Sequence, residues 1–231
     1  MLWVRAALTL VLVSILCTGC MVQSMNPYYT QNSLVAYPQV VGRWQLVKER
    51  GRDLANTKDK IVINPWTIRA TRLEQEELEA GLGTRIYVVT SYDQSNREGK
   101  LRAIFFTVGD ETYCDVTSAP ELKVNTYSSI TTLRLHLLLK VELKDDVLRL
   151  RFIDRQWLQT ALESKEIVFP VLGDERNAIL LNATSPQWKA FLEKYGKTEG
   201  VFSNDNPMEL KRIKDEPPAE EKPAEAKPAQ P

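Results

Sequence analysis

Apolar and polar side chains alternate at period two most sharply in TLRLHLLLKVELKDDVLRLRFID, from Thr132 to Asp154. Leu133, Leu135, Leu137, Leu139, Val141 and Leu143 share one face, with Arg134, His136, Lys140, Glu142 and Lys144 on the other. That period predicts a strand. With Asp145-Asp146 as a two-residue turn, Leu143 faces Leu148, Val141 faces Leu150, Leu139 faces Phe152 and Glu142 faces Arg149. Every apolar residue then lands on one side, so the register is self-consistent. Asp-Asp is a poor turn by composition, because the favoured twist wants φ > 0 and usually glycine.

A second hairpin, KLRAIFFTVGDETYCDVT, turns at Gly109-Asp110 and sets Phe105 against Cys114 and Ala103 against Val116. Its other face carries Ile104, Phe106 and Tyr113 and is also apolar. A strand pair apolar on both sides must be covered twice: either a helix packs over the outer face or that face binds something. Further strands are predicted at Val41–Glu49, Lys60–Asn64, Arg85–Tyr92, Ala178–Ala183 and Met208–Ile213.

Two short helices follow capping rules. One starts after Asp154 and turns Trp157, Leu158, Ala161 and Leu162 to one side. The other starts at a Ser185 cap with Pro186 in its first turn, ends at Gly196 and faces Trp188, Phe191 and Leu192 inward. The fold class is mainly β with short helices. About eight to ten closely spaced strands predict an antiparallel barrel or strongly curved sheet.

The two ends depart from this pattern. Residues 1–5 carry one positive charge, Arg5, and residues 6–17 are an apolar run. As a helix that run spans about 18 Å, short of a hydrocarbon layer of roughly 30 Å. A charged start, a short apolar core and then small residues are the layout of a secretory signal peptide. The CTGC that follows resembles the lipobox of bacterial lipoproteins. Thr18 and Gly19 fill the last two positions before the cysteine, and Cys17 stands where that family prefers Leu. The resemblance implies cleavage after residue 19 and a diacylglycerol thioether on Cys20. Met21, rather than Asp, implies outer-membrane retention in a Gram-negative cell, facing the periplasm. Two or more acyl chains make such an anchor stable, since a single chain holds only marginally. No transmembrane helix is expected after residue 20.

Residues 20–38 show no period and contain two prolines, and are expected to form the lipidated end and a tether. About 18 residues of flexible coil span roughly 23 Å. The alternative lays Tyr28, Tyr29 and Tyr37 down on the domain or the membrane interface. Residues 39–213 are the β domain. Residues 214–231 hold five prolines and no aromatic or β-branched residue, the composition of a solvated, extended tail.

Charge changes the picture by exclusion. Thirty basic and thirty acidic side chains cancel, and no basic face emerges, so a nucleic-acid partner is not expected. With Cys17 leaving in the signal and Cys20 acylated, Cys114 stands alone and no intramolecular disulfide forms. In ETYCDVT it reads as a small buried hydrophobe.

The first domain strand holds GRW, Gly42-Arg43-Trp44. This resembles the Gly-x-Trp signature of the lipocalins, where the Trp plugs the closed end of an eight-stranded barrel and an Arg near the last strand stacks on it. The resemblance implies that Arg212 in LKRI pairs with Trp44. The chain departs from that family in the helices after Asp154 and in the strands that follow them. Residues 101–195 also resemble a recurring group of uncharacterised bacterial envelope proteins, through FIDRQWL and LLNATSPQWKAFLEKYG; this resemblance bears on fold more than on function.

Catalytic constellations are sparse. His136 is the sole histidine, so a hydrolase triad or a histidine metal site would have to use it. Arg134 and Lys140 on its face disfavour an imidazolium, and it reads as a surface or rim residue. Ser128 and Ser129 lack a nucleophile-elbow pattern. The carboxylates Glu74, Glu76, Glu77 and Glu79 lack the ligand spacing and central glycine of a calcium loop. YDQSNREGK reads as a hairpin loop closed by Gly99. No enzyme activity, metal or cofactor is expected.

The leading expectation is a lipid-anchored, non-enzymatic envelope protein whose barrel binds a small apolar ligand or a protein partner, with Phe105, Leu135, Leu139 and Phe152 lining the site. The alternative is a structural scaffold that joins an envelope complex through Ile104, Phe106 and Tyr113. A hydrolase built on His136 ranks third.

Overall fold

Asp145 and Asp146 sit at φ 50° and 60°, the doubly left-handed turn whose twist matches two antiparallel strands. They join β8 (His136–Lys144) to β9 (Val147–Phe152). The pairs are Leu143 with Leu148, Val141 with Leu150, Leu139 with Phe152 and Glu142 with Arg149, the register that the alternation predicts. Asp146 rather than glycine occupies the second turn position because its carboxylate accepts a hydrogen bond from Arg212 Nε at 3.0 Å.

This is a computed structural model, and it describes residues 21–49, 52–53, 60–65, 85–92, 98–118, 134–175, 178–203 and 207–213. The leader with Cys20, the acidic run Leu73–Gly83, Ser128, Ser129, Leu133 and the tail from residue 214 lie outside these.

The other strands are β1 (Met21–Ser24), β2 (Gly42–Glu49), β3 (Arg52–Asp53), β4 (Lys60–Pro65), β5 (Ile86–Tyr92), β6 (Glu98–Val108), β7 (Glu111–Ser118), β10 (Val171–Glu175), β11 (Ala178–Leu181) and β12 (Met208–Arg212). Neighbours run β8-β7-β6-β5-β4-β2-β12-β9, and β9 pairs back with β8. The result is a closed, eight-stranded antiparallel barrel of lipocalin-like architecture. Closure leaves those strands no free edge. In the β6–β7 hairpin Phe105 faces Cys114 and Ala103 faces Val116, as predicted.

Outside the barrel lies a smaller sheet. β1 pairs with the start of β8, where Gln23 meets Leu137, and runs parallel to β11, which pairs with β10. The departure from the lipocalin pattern thereby resolves: β10 and β11 build this flanking sheet, and only β12 returns to the barrel. Of the two readings of this segment, the tether is corrected and the alternative, tyrosines laid down on the domain, is the one observed. Residues 21–40 pack against the domain, with Val22, Tyr28, Leu34 and Val40 buried. Val22 and Ser24 turn inward from β1, and Tyr28 packs against Trp188 with ring centroids 4.5 Å apart, which draws the segment down.

Two helices cover the same wall. α1 (Arg155–Glu163) is capped by Asp154, whose carboxylate accepts the Trp157 N–H at 2.8 Å. α2 (Ser185–Tyr195) is capped by Thr184, not Ser185 as expected, with Gln187 accepting the Thr184 N–H at 2.8 Å. Thr184 holds the extended backbone that a cap requires, while the Ser185 hydroxyl donates instead to the Pro27 carbonyl at 2.7 Å. Trp188, Phe191, Leu192 and Tyr195 face inward from α2. They join Ile104, Phe106, Tyr113 and Leu138 on the outer wall in one apolar core. The face around Phe106 is therefore covered, and the scaffold reading loses the surface it named. Gly196 leaves no room for a side chain here: a Cβ would overlap the Tyr113 hydroxyl and the Leu192 carbonyl.

Candidate functional site in the barrel interior

The inward rows of the strands form a second apolar core, which includes Trp44, Tyr87, Phe105, Cys114, Leu139, Val141 and Leu148. Period-two alternation puts these side chains on one side of every strand, and closure turns that side into an inner wall.

One end is stoppered. The β6–β7 and β8–β9 turns, the start of β2 and the end of β12 gather there. Trp44 is fully buried, and its indole N–H donates to the Val40 carbonyl at 2.8 Å. The Arg212 guanidinium stacks over that ring, 4.3 Å from the centroid, and donates to the Val41 carbonyl at 2.8 Å and to the Gln39 carbonyl. The pairing of Trp44 with Arg212 is thus met. Gly42 is required beside it: its φ is +142° and a Cβ would come within 2.7 Å of Arg212 Nη1.

The N-terminal segment finishes the stopper. Past the first residue of β5, which pairs with Ile104, Leu34 bridges Phe106 and the Val35 N–H donates to the Phe105 carbonyl at 3.1 Å. The chain then brings Tyr37 onto Phe105, stacked at 5.1 Å, while Tyr87 meets the same ring edge-on at 5.3 Å. The Tyr37 N–H donates to the Tyr87 hydroxyl at 2.8 Å. Burial pushes the Tyr37 hydroxyl above its ordinary value.

At the opposite end the inward side chains Val89, Leu137 and Phe152 are half-buried, and Leu101 is 40% exposed. Of the four expected lining residues, Phe105 and Leu139 are buried in the interior and Phe152 packs against it. Leu135 lies just ahead of β8 and is half-buried. Tyr37 and Tyr87 went unforeseen as lining residues. The alternation of IYVVTSY in β5 carries a signal for Tyr87; Tyr37 sits in an irregular segment with none.

His136 is corrected from a surface position to a buried one. Its Nδ1 is 2.8 Å from Asp115 Oδ1, and Asp115 Oδ2 accepts the Tyr28 N–H at 2.9 Å. Asp115 thus holds both His136 on β8 and the backbone of the N-terminal segment, and clamps that segment to the outer wall. Lys140, two turns of the pleat away, is buried as well and pairs with Glu111 at 3.0 Å and the Gly196 carbonyl at 2.9 Å. Cys114 is buried in the interior, and burial pushes its thiol well above the ordinary value, with the Asp115 charge adding to the shift. It is kept as a neutral thiol.

The class that fold and interior define is a lipocalin-like antiparallel barrel with one end closed. No family model matches the chain, and no curated protein or solved structure matches it either.

Proposed function

We propose that the protein is an acyl-anchored lipoprotein of the bacterial envelope, held in the outer membrane facing the periplasm, whose barrel takes a small apolar ligand without chemical turnover. The observation that carries the ligand reading is the inner wall: apolar and aromatic, sealed by Trp44 and Arg212 at one end and presenting half-buried Val89, Leu137 and Phe152 at the other. Burial of uncharged surface is the main source of affinity in such a site. The neutral Cys114 thiol and the clamped His136 support binding over catalysis, since both spend their chemistry on packing. Support for the anchor comes from CTGC directly after the apolar leader.

Expression with the intact leader and labelling with palmitate tests the anchor. Label should be lost in Cys20→Ala and kept in Cys17→Ala. Native mass spectrometry and solvent extraction of the purified protein test the ligand, with recovery of an apolar molecule expected. Leu137→Gln should weaken uptake of a fluorescent acyl probe by about tenfold, the usual effect of a polar group in an apolar pocket, and leave the melting temperature nearly unchanged. No co-purifying molecule together with no probe uptake overturns the ligand reading.

A further inference from the structure

Among the described residues the exposed large apolar side chains are Leu101 at the barrel's end and three others close together: Val168 at 79%, Val171 at 47% and Leu172 at 57%. These three lie within five consecutive positions, at and just ahead of the start of β10, the outer strand of the flanking sheet. The segment is pinned rather than loose. Phe169 between them packs on Trp188 at 4.7 Å and on Phe191 at 5.8 Å, and the Pro170 carbonyl accepts the Asn182 N–H at 2.8 Å. An apolar edge held in place beside a strand that, among the described residues, pairs on one side only is a liability unless something covers it.

The register says what lies beside it. Val171 is opposite Leu181 on β11, and Leu181 is opposite Ser24 on β1. Two strand spacings across and three residues along place Val171 about 14 Å from Met21. Met21 is the first residue of β1 and the covalent neighbour of Cys20. With no tether between, acyl chains on Cys20 would leave the domain within reach of this edge.

We propose that the edge formed by Val168, Val171 and Leu172 is a membrane-contact surface that seats in the lipid interface beside an acylated Cys20. The inference rests on the reading of Cys20 as the acylated residue. Anchor and edge together orient the barrel on the bilayer, where an acyl chain alone leaves it free to tumble.

The test uses the mature, acylated protein carrying Leu172→Cys, labelled with an environment-sensitive fluorophore; Cys114 is buried and does not compete. Glu193→Cys on the exposed side of α2 is the comparison site. Both are reconstituted on vesicles of phosphatidylethanolamine and phosphatidylglycerol containing a spin-labelled lipid, and acylation is checked by intact mass. At Leu172 quenching by the spin-labelled lipid is expected, with iodide access reduced about fivefold, and at Glu193 neither. Acylated protein on the vesicles with the Leu172 label still open to iodide overturns the inference and leaves the anchor standing. Shielding from iodide without lipid quenching means that a second copy covers the edge, and overturns it too. Absence of the acyl mass removes the anchor reading and this inference with it.

Discussion

Arg212 engages four groups at the closed end. One guanidinium stacks on Trp44, caps the Val41 and Gln39 carbonyls and holds the Asp146 carboxylate. Planarity is what allows all four, because a stacked fork directs donors sideways while its face stays on the ring. Lysine keeps the charge and loses the plane. Arg212→Lys should therefore cost about 1–3 kcal/mol, read as a lower urea midpoint with an unchanged slope. Gly42→Ala should cost a similar amount by a different route, since it pushes into the same guanidinium from a backbone φ that disfavours a side chain. The Trp44–Arg212 pair was legible in the sequence through three residues of motif. The Asp115–His136–Tyr28 clamp was not, because its members are spread over β7, β8 and an irregular segment, and each alone has an ordinary explanation.

Local pairing explains which elements were legible. The β6–β7 and β8–β9 hairpins close over two-residue turns, so alternation alone sets their register, and both are met pair by pair. The flanking sheet brings residue 21 beside residue 178 in parallel, and short segments such as MVQS carry too little period to announce a partner so distant in sequence. For the same reason the doubly apolar β6–β7 hairpin called for either a covering helix, with 186–195 a candidate, or a bound partner, and gave no sign that the Tyr28 segment joins α2 in the cover. The consequence is specific. Phe106 is fully buried against Tyr113, with ring centroids 5.6 Å apart, and lies near Tyr29 at 6.2 Å. Phe106→Glu sets a carboxylate into that layer and should destabilise the fold by about 3–5 kcal/mol. Loss of soluble, cooperatively melting protein is the expected result; a well-folded variant that merely loses a binding partner would contradict the covered face.

For the whole molecule, the outer wall works as a joint between barrel and cover, and two of its buried groups share one electrostatic bias with the interior Cys114. Burial pushes the hydroxyls of Tyr28 and Tyr113 and the thiol of Cys114 above their ordinary values, Asp115 adding to the shift for Tyr28 and Cys114 and Glu111 and Asp110 for Tyr113. In the unfolded chain such groups ionise from about pH 9 to 10. The folded chain keeps its protons beyond that point, so it binds more protons than the unfolded one, and stability falls as pH rises. The contribution is whole below pH 9 and lost progressively above it, by about 1.4 kcal/mol per unit for each group still protonated only in the folded state. Tyr28 is the group whose ionisation matters most for architecture, because it sits between the Asp115 clamp and Trp188 and fastens the segment that stoppers the barrel. Urea midpoints measured from pH 7 to 11 should fall steeply above pH 9 in the native sequence and less steeply in Tyr28→Phe, which cannot ionise. Emission from an acyl probe in the barrel should decline over the same interval, since release of the Tyr28 segment also withdraws Tyr37 from Phe105. An unchanged slope in Tyr28→Phe would place the alkaline sensitivity elsewhere and separate the stopper from the clamp.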